Sequence, residues 1–209
     1  MAEAPKRPVT PRSAGSLVVV REAAGGPEIL LGRRAGRHRF MPDVFVFPGG
    51  RLDANDRAID PVRPLPAATL AQVTRHTDAV TARALAVAAV RETFEETGLA
   101  LGQAEAGAFR PDLGAIEYLG RAITPSRNPI RFHARFFLTR VGNGAARLGG
   151  SGELLDLDWY PMAAALKLPI VDVTEFMLSE VAAHLGPDSA RRQLPIFGYF
   201  AGKMRIRRE

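Results

Sequence analysis

Two apolar runs near the start, SLVVV at Ser16–Val20 and EILLGR at Glu28–Arg33, are short, β-prone and separated by the turn-forming stretch AAGGP. Runs of that kind bounded by Gly and Pro predict a β-hairpin. A third run, VFVF at Val44–Phe47, stops abruptly at Pro48, Gly49 and Gly50. From Arg51 to about Thr77 the chain turns polar, with several Pro and Asp, and supports no more than a short helix near Ala67–Val73; this stretch is expected to be a long insertion. From about Asp78 to Thr97 strong helix formers take over. Three strand-like segments follow, at Ile116–Thr124, Phe132–Val141 and Leu155–Tyr160, and the last clear element is VTEFMLSEVAAHL, Val173–Leu185, with apolar residues at helical spacing. Mixed strands and helices around one core predict the α/β or α+β class. Residues 1–13, rich in Pro, Arg and Ala, read as a loose arm, 14–165 as the main domain, and 166–209 as a helical extension of it whose basic end, KMRIRRE, is a solvated tail.

The long helical segment ends oddly. In RETFEETGLA, Arg91–Ala100, the side chains of Glu92, Glu95 and Glu96 fall just before Gly98, the expected helix stop. At about 100° per residue, Val87, Val90 and Phe94 cluster on one side, and the three carboxylates share roughly the opposite face. A solvated acidic face is one reading, since exposed like-charge pairs cost only about 0.2–0.5 kcal/mol each. The position speaks for another. A helix C-terminus carries partial negative charge, so each carboxylate there loses about 0.3–1 kcal/mol. A divalent cation reverses the sign of every one of these terms, and oxygen ligands at i, i+3 and i+4 suit Mg²⁺ or Mn²⁺, with water and phosphate oxygens completing the shell. The segment FPGG, Phe47–Gly50, reads either as a plain turn or as a place where bare backbone approaches a ligand.

Composition narrows the field. A chain of 209 residues, 46% hydrophobic and 24% charged, is large enough for one substantial core. It has no cysteine, so any metal must sit on oxygen or histidine, and a reducing, cytoplasmic location is expected. His38, His76, His133 and His184 lack metal-binding spacing and read as structural or surface groups, Trp159 as core. Nothing approaches about 18 consecutive apolar residues, and MAEAPKRPVTPRSAG lacks the apolar run of a secretory signal, so no membrane role is expected. The net charge of +6, carried mostly by arginine, suits a phosphate-bearing partner. No base-reading motif accompanies it, so nucleic acid is not the expected partner. Arg33, Arg34, Arg37 and Arg39, and Arg127 and Arg131 in TPSRNPIRF, are candidates to meet substrate phosphates through their planar forks; each also reads as a solvated residue.

Taken together, FPGG and RETFEETGL resemble the signature of the Nudix hydrolases. That box runs Gly, five residues, Glu, seven residues, then Arg, Glu, apolar, any, Glu, Glu, any, Gly, apolar. Its second half matches Arg91, Glu92, Glu95, Glu96, Gly98 and Leu99, with Thr93 where an aliphatic is usual. The first half departs: Gly50 opens it and Asp56 takes the early acidic position, but more than thirty residues then precede Arg91. Such an insertion, and text such as FVFPGGRLDANDRA, is similar to the branch that includes peroxisomal coenzyme A diphosphatases; ILLGRRAGRHRFMPDVFVFPGG resembles the segment that coenzyme A-specific members place before the box.

The resemblance implies a Nudix-like α/β/α sandwich with a mixed sheet and Mg²⁺- or Mn²⁺-dependent hydrolysis of a diphosphate linkage. The small-molecule substrate it implies first is coenzyme A or an acyl derivative, with ADP-ribose or a dinucleotide as alternative. It implies Glu95 and Glu96 as principal metal ligands, Glu92 as ligand or base, the Gly49 carbonyl as a main-chain ligand and Arg91 as the residue that orients Glu92. Glu153, in GGSGELL, matches the late glutamate that members often supply from a loop as general base. A rival reading is a non-catalytic Nudix-fold module that binds a nucleotide metabolite. The last helix could join two subunits as a homodimer.

Overall fold

A computed structural model describes residues 9–36, 41–105, 108–142, 148–187, 193–200 and 202–209. Strands β1 (Arg12–Ala23) and β2 (Gly26–Arg34) form the expected hairpin, in register from Val20–Ile29 to Ala23–Gly26. Arg12 and Ser13 thus belong to the sheet rather than to a loose arm. At its other end β1 changes partner: Ala14, Gly15 and Ser16 pair with Arg51, Gly50 and Gly49 of β4 (Gly49–Arg51). The short run at Val44–Phe47 yields only a two-residue strand, β3 (Phe45–Val46), on β2.

The insertion holds a 3₁₀ turn at Asn55–Arg57 and the expected short helix α1 (Ala67–Val73). Helix α2 (Ala79–Thr97) starts at Asp78, whose Oδ1 accepts the Thr81 N–H at 2.9 Å, and stops at Gly98 in the left-handed conformation, φ 71°. A two-stranded ribbon of β5 (Gly102–Glu105) and β6 (Ala108–Pro111) follows. Then come β7 (Glu117–Ile123), β8 (Phe132–Val141) and β9 (Leu154–Pro161), close to the three expected strands, a short helix α3 (Met162–Ala165) and α4 (Asp172–Leu185).

The C-terminal stretch differs from expectation. After α4 the chain forms a hairpin of β10 (Pro195–Phe200) and β11 (Lys203–Arg208), and β10 joins the main sheet parallel to β7. KMRIRR is therefore an edge strand, not a solvated tail. Its alternation escaped notice because all six residues are exposed, so no buried face marks the period-2 pattern. Rows of charge suit an edge that must not pair with another chain.

The result is a nine-stranded mixed sheet in the order β11-β10-β7-β8-β1-β2-β3, with β4 on β1 and β9 on β2. Side chains alternate between its two faces. Leu17 and Val19 pack with α2 residues Leu85, Ala86 and Ala89 on one side, and Val18 and Val20 pack with α4 residues Met177, Leu178 and Val181 on the other. SLVVV is a continuous apolar run because β1 is covered on both faces. Trp159 lies in the first of these cores, with the Arg21 guanidinium 4.6 Å from its ring centre. The architecture is the expected α/β/α sandwich. Among the described residues, no helix is long and apolar enough to cross a membrane.

Candidate active site

Three elements meet where β1 exchanges β2 for β4. The last carbonyls of α2 lack helical partners and must find donors elsewhere. They find them in the loop before β9: the Gly149 N–H donates to Thr97 O at 2.9 Å and the Ser151 N–H to Glu95 O at 3.2 Å. The same loop carries Glu153, so closing the helix end delivers a distant carboxylate to the site.

Strand β4 approaches from the other side. The Gly49 N–H donates to Glu96 Oε2 at 2.9 Å, and a Cβ on Gly50 would lie 2.2 Å from the Glu92 Cδ. Gly49 itself sits at φ 153°, where a side chain would collide with β1. FPGG is thus a turn and a close approach at once: only bare backbone fits against these carboxylates.

Burial and crowding raise the pKa of these carboxylates. Burial pushes the Glu96 carboxyl up to about 8; the charges of Glu92 and Glu153 push the same way, while the Gly49 N–H and Arg34 oppose them. Glu92 is also raised, first by burial, then by Glu95 and Glu153, against the pull of Arg91. Glu96 is only 5% exposed.

Arg91 ties the insertion to the helix. Its Nε and Nη2 donate to the two oxygens of Asp56 at 2.8 and 3.2 Å, and Asp56, 0% exposed, also accepts the Asp53 N–H at 2.7 Å. Nη1 lies 3.1 Å from both Glu92 Oε1 and Glu95 Oε2. Burial works against the guanidinium's charge, but the Asp56 hydrogen bonds and the charges of Glu92, Asp56 and Glu95 outweigh it and raise its pKa. The carboxylate of Asp56 is spent on holding Arg91.

Glu92, Glu96, Gly49, Glu153, Arg91 and Arg34 all line one cavity of about 630 Å³. Glu95 does not line it; it is exposed and paired with Arg91. Arg33 is engaged by Asp156 and Asp43. Arg131 spends its fork on the carbonyls of Thr124 and Val9, and Arg127 is exposed on its loop; neither lines the cavity. Arg37, His38 and Arg39 lie outside the described residues. Two lining arginines, Arg12 and Arg51, went unforeseen. The alternation of β1 signals Arg12, which shares a face with Ala14 and Ser16 once the strand is extended back into the supposed arm. Among the described residues, no group of three or more Asp, Glu or His side chains is arranged to hold a metal ion by itself.

The fold recurs in known structures. A Nudix hydrolase from Alicyclobacillus acidocaldarius is 31% identical, with a TM-score of 0.66 over 83% of this chain and 92% of its own. The chain belongs to the Nudix hydrolase family. More distant neighbours share the fold: the Nudix domain of Shewanella oneidensis NrtR, solved with ADP ribose, at 15% identity and TM-score 0.56 over 88% of this chain and 94% of its own, and an Ap4A hydrolase from C. elegans at 17% and 0.52 over 83% and 97%. No protein-family model matches the chain. As a Nudix hydrolase it is a pyrophosphohydrolase, and such enzymes generally use divalent metals.

The residues present fit such an ion. A buried carboxylate whose pKa burial pushes up to about 8 is stabilised in its charged form by a nearby cation. The donors are all hard oxygen, the type Mg²⁺ and Mn²⁺ take.

Proposed function

We propose that the cavity hydrolyses a diphosphate linkage in a nucleoside diphosphate derivative, with Mg²⁺ or Mn²⁺ held by Glu96, Glu92 and the Gly49 carbonyl. The carrying observation is the gathering of Glu92, Glu96 and Glu153 around one cavity that also receives Arg12, Arg34, Arg51 and Arg91. Glu95 joins the ligands only by leaving Arg91, so it ranks below Glu96. The bound ion would supply charge neutralisation at the diphosphate and a lower pKa for the attacking water.

The chain's own groups do the rest. Arg34 and Arg51 hold phosphate oxygens, and Arg91, fixed by Asp56, orients Glu92. The water oxygen bonds to one phosphorus, the bridging P–O bond breaks, and the water's proton passes to Glu153 or Glu92. Burial and its acidic neighbours raise the Glu92 pKa, which makes the carboxylate a stronger proton acceptor.

Coenzyme A or an acyl derivative is the preferred substrate, supported by the insertion after Gly50 and by the text before it. The alternative is ADP-ribose or a dinucleotide, supported by general site chemistry. Incubation with coenzyme A, acetyl-coenzyme A, ADP-ribose and a dinucleoside polyphosphate, with Mg²⁺ or Mn²⁺, and mass analysis of the products tests both. Release of 3′,5′-ADP supports coenzyme A; AMP and ribose 5-phosphate from ADP-ribose alone would remove it. No metal-dependent turnover of any compound would leave a binding module.

A further inference from the structure

The cavity is far longer than a diphosphate needs, and its two ends differ in chemistry. One end holds the carboxylates and arginines. The other runs across the sheet face beneath α4, over Ala14, Ala134 and Ala122 to Phe197 and Tyr199. Registers place these side by side: Arg51 opposite Ala14, Ala14 beside Ala134, Ala134 opposite Ala122, Ala122 beside Phe197. Four strand spacings of about 4.8 Å make this path about 19 Å long. Bulkier neighbours flank it, Ser16 and Phe136 on one row, Arg12 and Phe132 on the other.

Along the path the alanine side chains offer no hydrogen-bonding groups, and three neighbouring hydroxyls are already engaged. The Ser16 hydroxyl donates to Pro48 O at 3.0 Å, Thr124 Oγ1 accepts the Phe132 N–H at 3.0 Å, and the Tyr199 hydroxyl donates to Asp172. A nucleobase edge placed over the alanine row would lose its water partners without replacement, which is costly. An apolar chain loses nothing and gains from leaving water. Phe197 closes the path: it is 3% exposed and braced by Phe176 and Tyr199, with ring centres 5.2 and 6.0 Å away.

We infer that Phe197 and Tyr199, on the C-terminal hairpin, are specificity-determining residues that end a channel for a narrow apolar chain attached to the substrate's diphosphate. This rests on the diphosphate reading above and not on its choice of coenzyme A, whose amide-bearing arm such a channel would not favour, and it adds the class of the remote substituent. Each methylene that enters such a channel is worth about fourfold in binding, so kcat/KM must depend on chain length until Phe197 is reached.

The test uses adenosine diphosphate esterified at its terminal phosphate with ethyl, hexyl, dodecyl or octadecyl chains, below their aggregation concentrations, with ADP-ribose alongside. In wild type, kcat/KM should climb at least tenfold from ethyl to dodecyl and fall at octadecyl. Phe197→Ala should raise octadecyl relative to dodecyl about tenfold. Ala134→Leu, which fills the path without opening the core, should lower the dodecyl-to-ethyl ratio about tenfold, and it carries the test should Phe197→Ala fail to fold. Turnover of all esters with no dependence on chain length, or ratios unmoved by Ala134→Leu, would overturn the channel alone. Absence of turnover for every ester and for ADP-ribose would overturn the diphosphate reading and the channel with it.

Discussion

Two clusters of like charge lie at different places along the sheet, and they are resolved in opposite ways. At the end of α2, Glu92, Glu96 and Glu153 crowd around an open cavity, and burial with mutual repulsion lifts Glu96 to about 8. On the α2 side of β7 and β8, Arg121, His133 and Arg135 crowd together with His76. There burial and the neighbouring cations push His133 down to about 3 and lower Arg135, and the Arg121 Nε is buried without a hydrogen-bond partner. The chain supplies the missing charge itself: Glu209, at its very end, pairs with Arg121 and His76. Burial works against the Glu209 charge, but the bonds from His76 and Arg121 more than offset it and lower its pKa. The basic cluster is closed by Glu209, whereas the acidic one faces an open cavity.

The largest effect should come from the pair that anchors the acidic cluster. Arg91→Ala leaves Asp56 charged, fully buried and unpaired, and should cost about 3–5 kcal/mol of stability in urea unfolding. The double variant with Asp56→Ala should recover much of it. Next is Glu96→Gln, which should lower metal-dependent turnover on the order of 100-fold, about 2.7 kcal/mol of transition-state stabilisation, with Glu95→Gln costing clearly less. A larger loss at Glu95 would show that it leaves Arg91 to bind metal.

The clusters should also bend stability with pH in opposite directions. Without metal, folded Glu96 keeps its proton to about pH 8, whereas an unfolded glutamate loses it near 4.5. The folded state then binds the extra proton, so stability falls as pH rises through that window. His133 is the reverse. Unfolded, it binds a proton near pH 6.5, but folded only near 3, so stability falls as pH drops between them. Thermal melting of metal-free protein should show both slopes, with Glu96→Gln flattening the alkaline one and His133→Gln the acid one. The smallest effect belongs to Glu209→Gln: a partly exposed pair at the chain end should contribute about 0–1 kcal/mol.

Much of this was legible in the chain. The hairpin, the short helix in the insertion and the bounds of α2 followed from turn residues, caps and composition, and the acidic turn before Gly98 pointed to the site. What stayed hidden depended on partners far apart in sequence. Glu95 and Glu96 differ by one step of about 100° around the helix, and only the position of Arg91 and of β4 decides which faces the cavity. Asp56 matches an acidic position in the box, yet the fold commits its oxygens to Arg91. Arg131 looked available on its loop but is consumed by two backbone carbonyls. The terminal hairpin, which walls the cavity with Phe197 and Tyr199, was invisible because its outer strand buries neither face.

The central claim, that burial and acidic neighbours hold Glu96 in its protonated form until a cation binds, has a direct test. Calorimetric titration of Mg²⁺ into the protein at pH 7, repeated in two buffers of different ionisation enthalpy, counts the protons released per ion bound. The account predicts release from wild type, carried by Glu96, and its loss in Glu96→Gln. Binding without proton release, or equal release from both proteins, would contradict it.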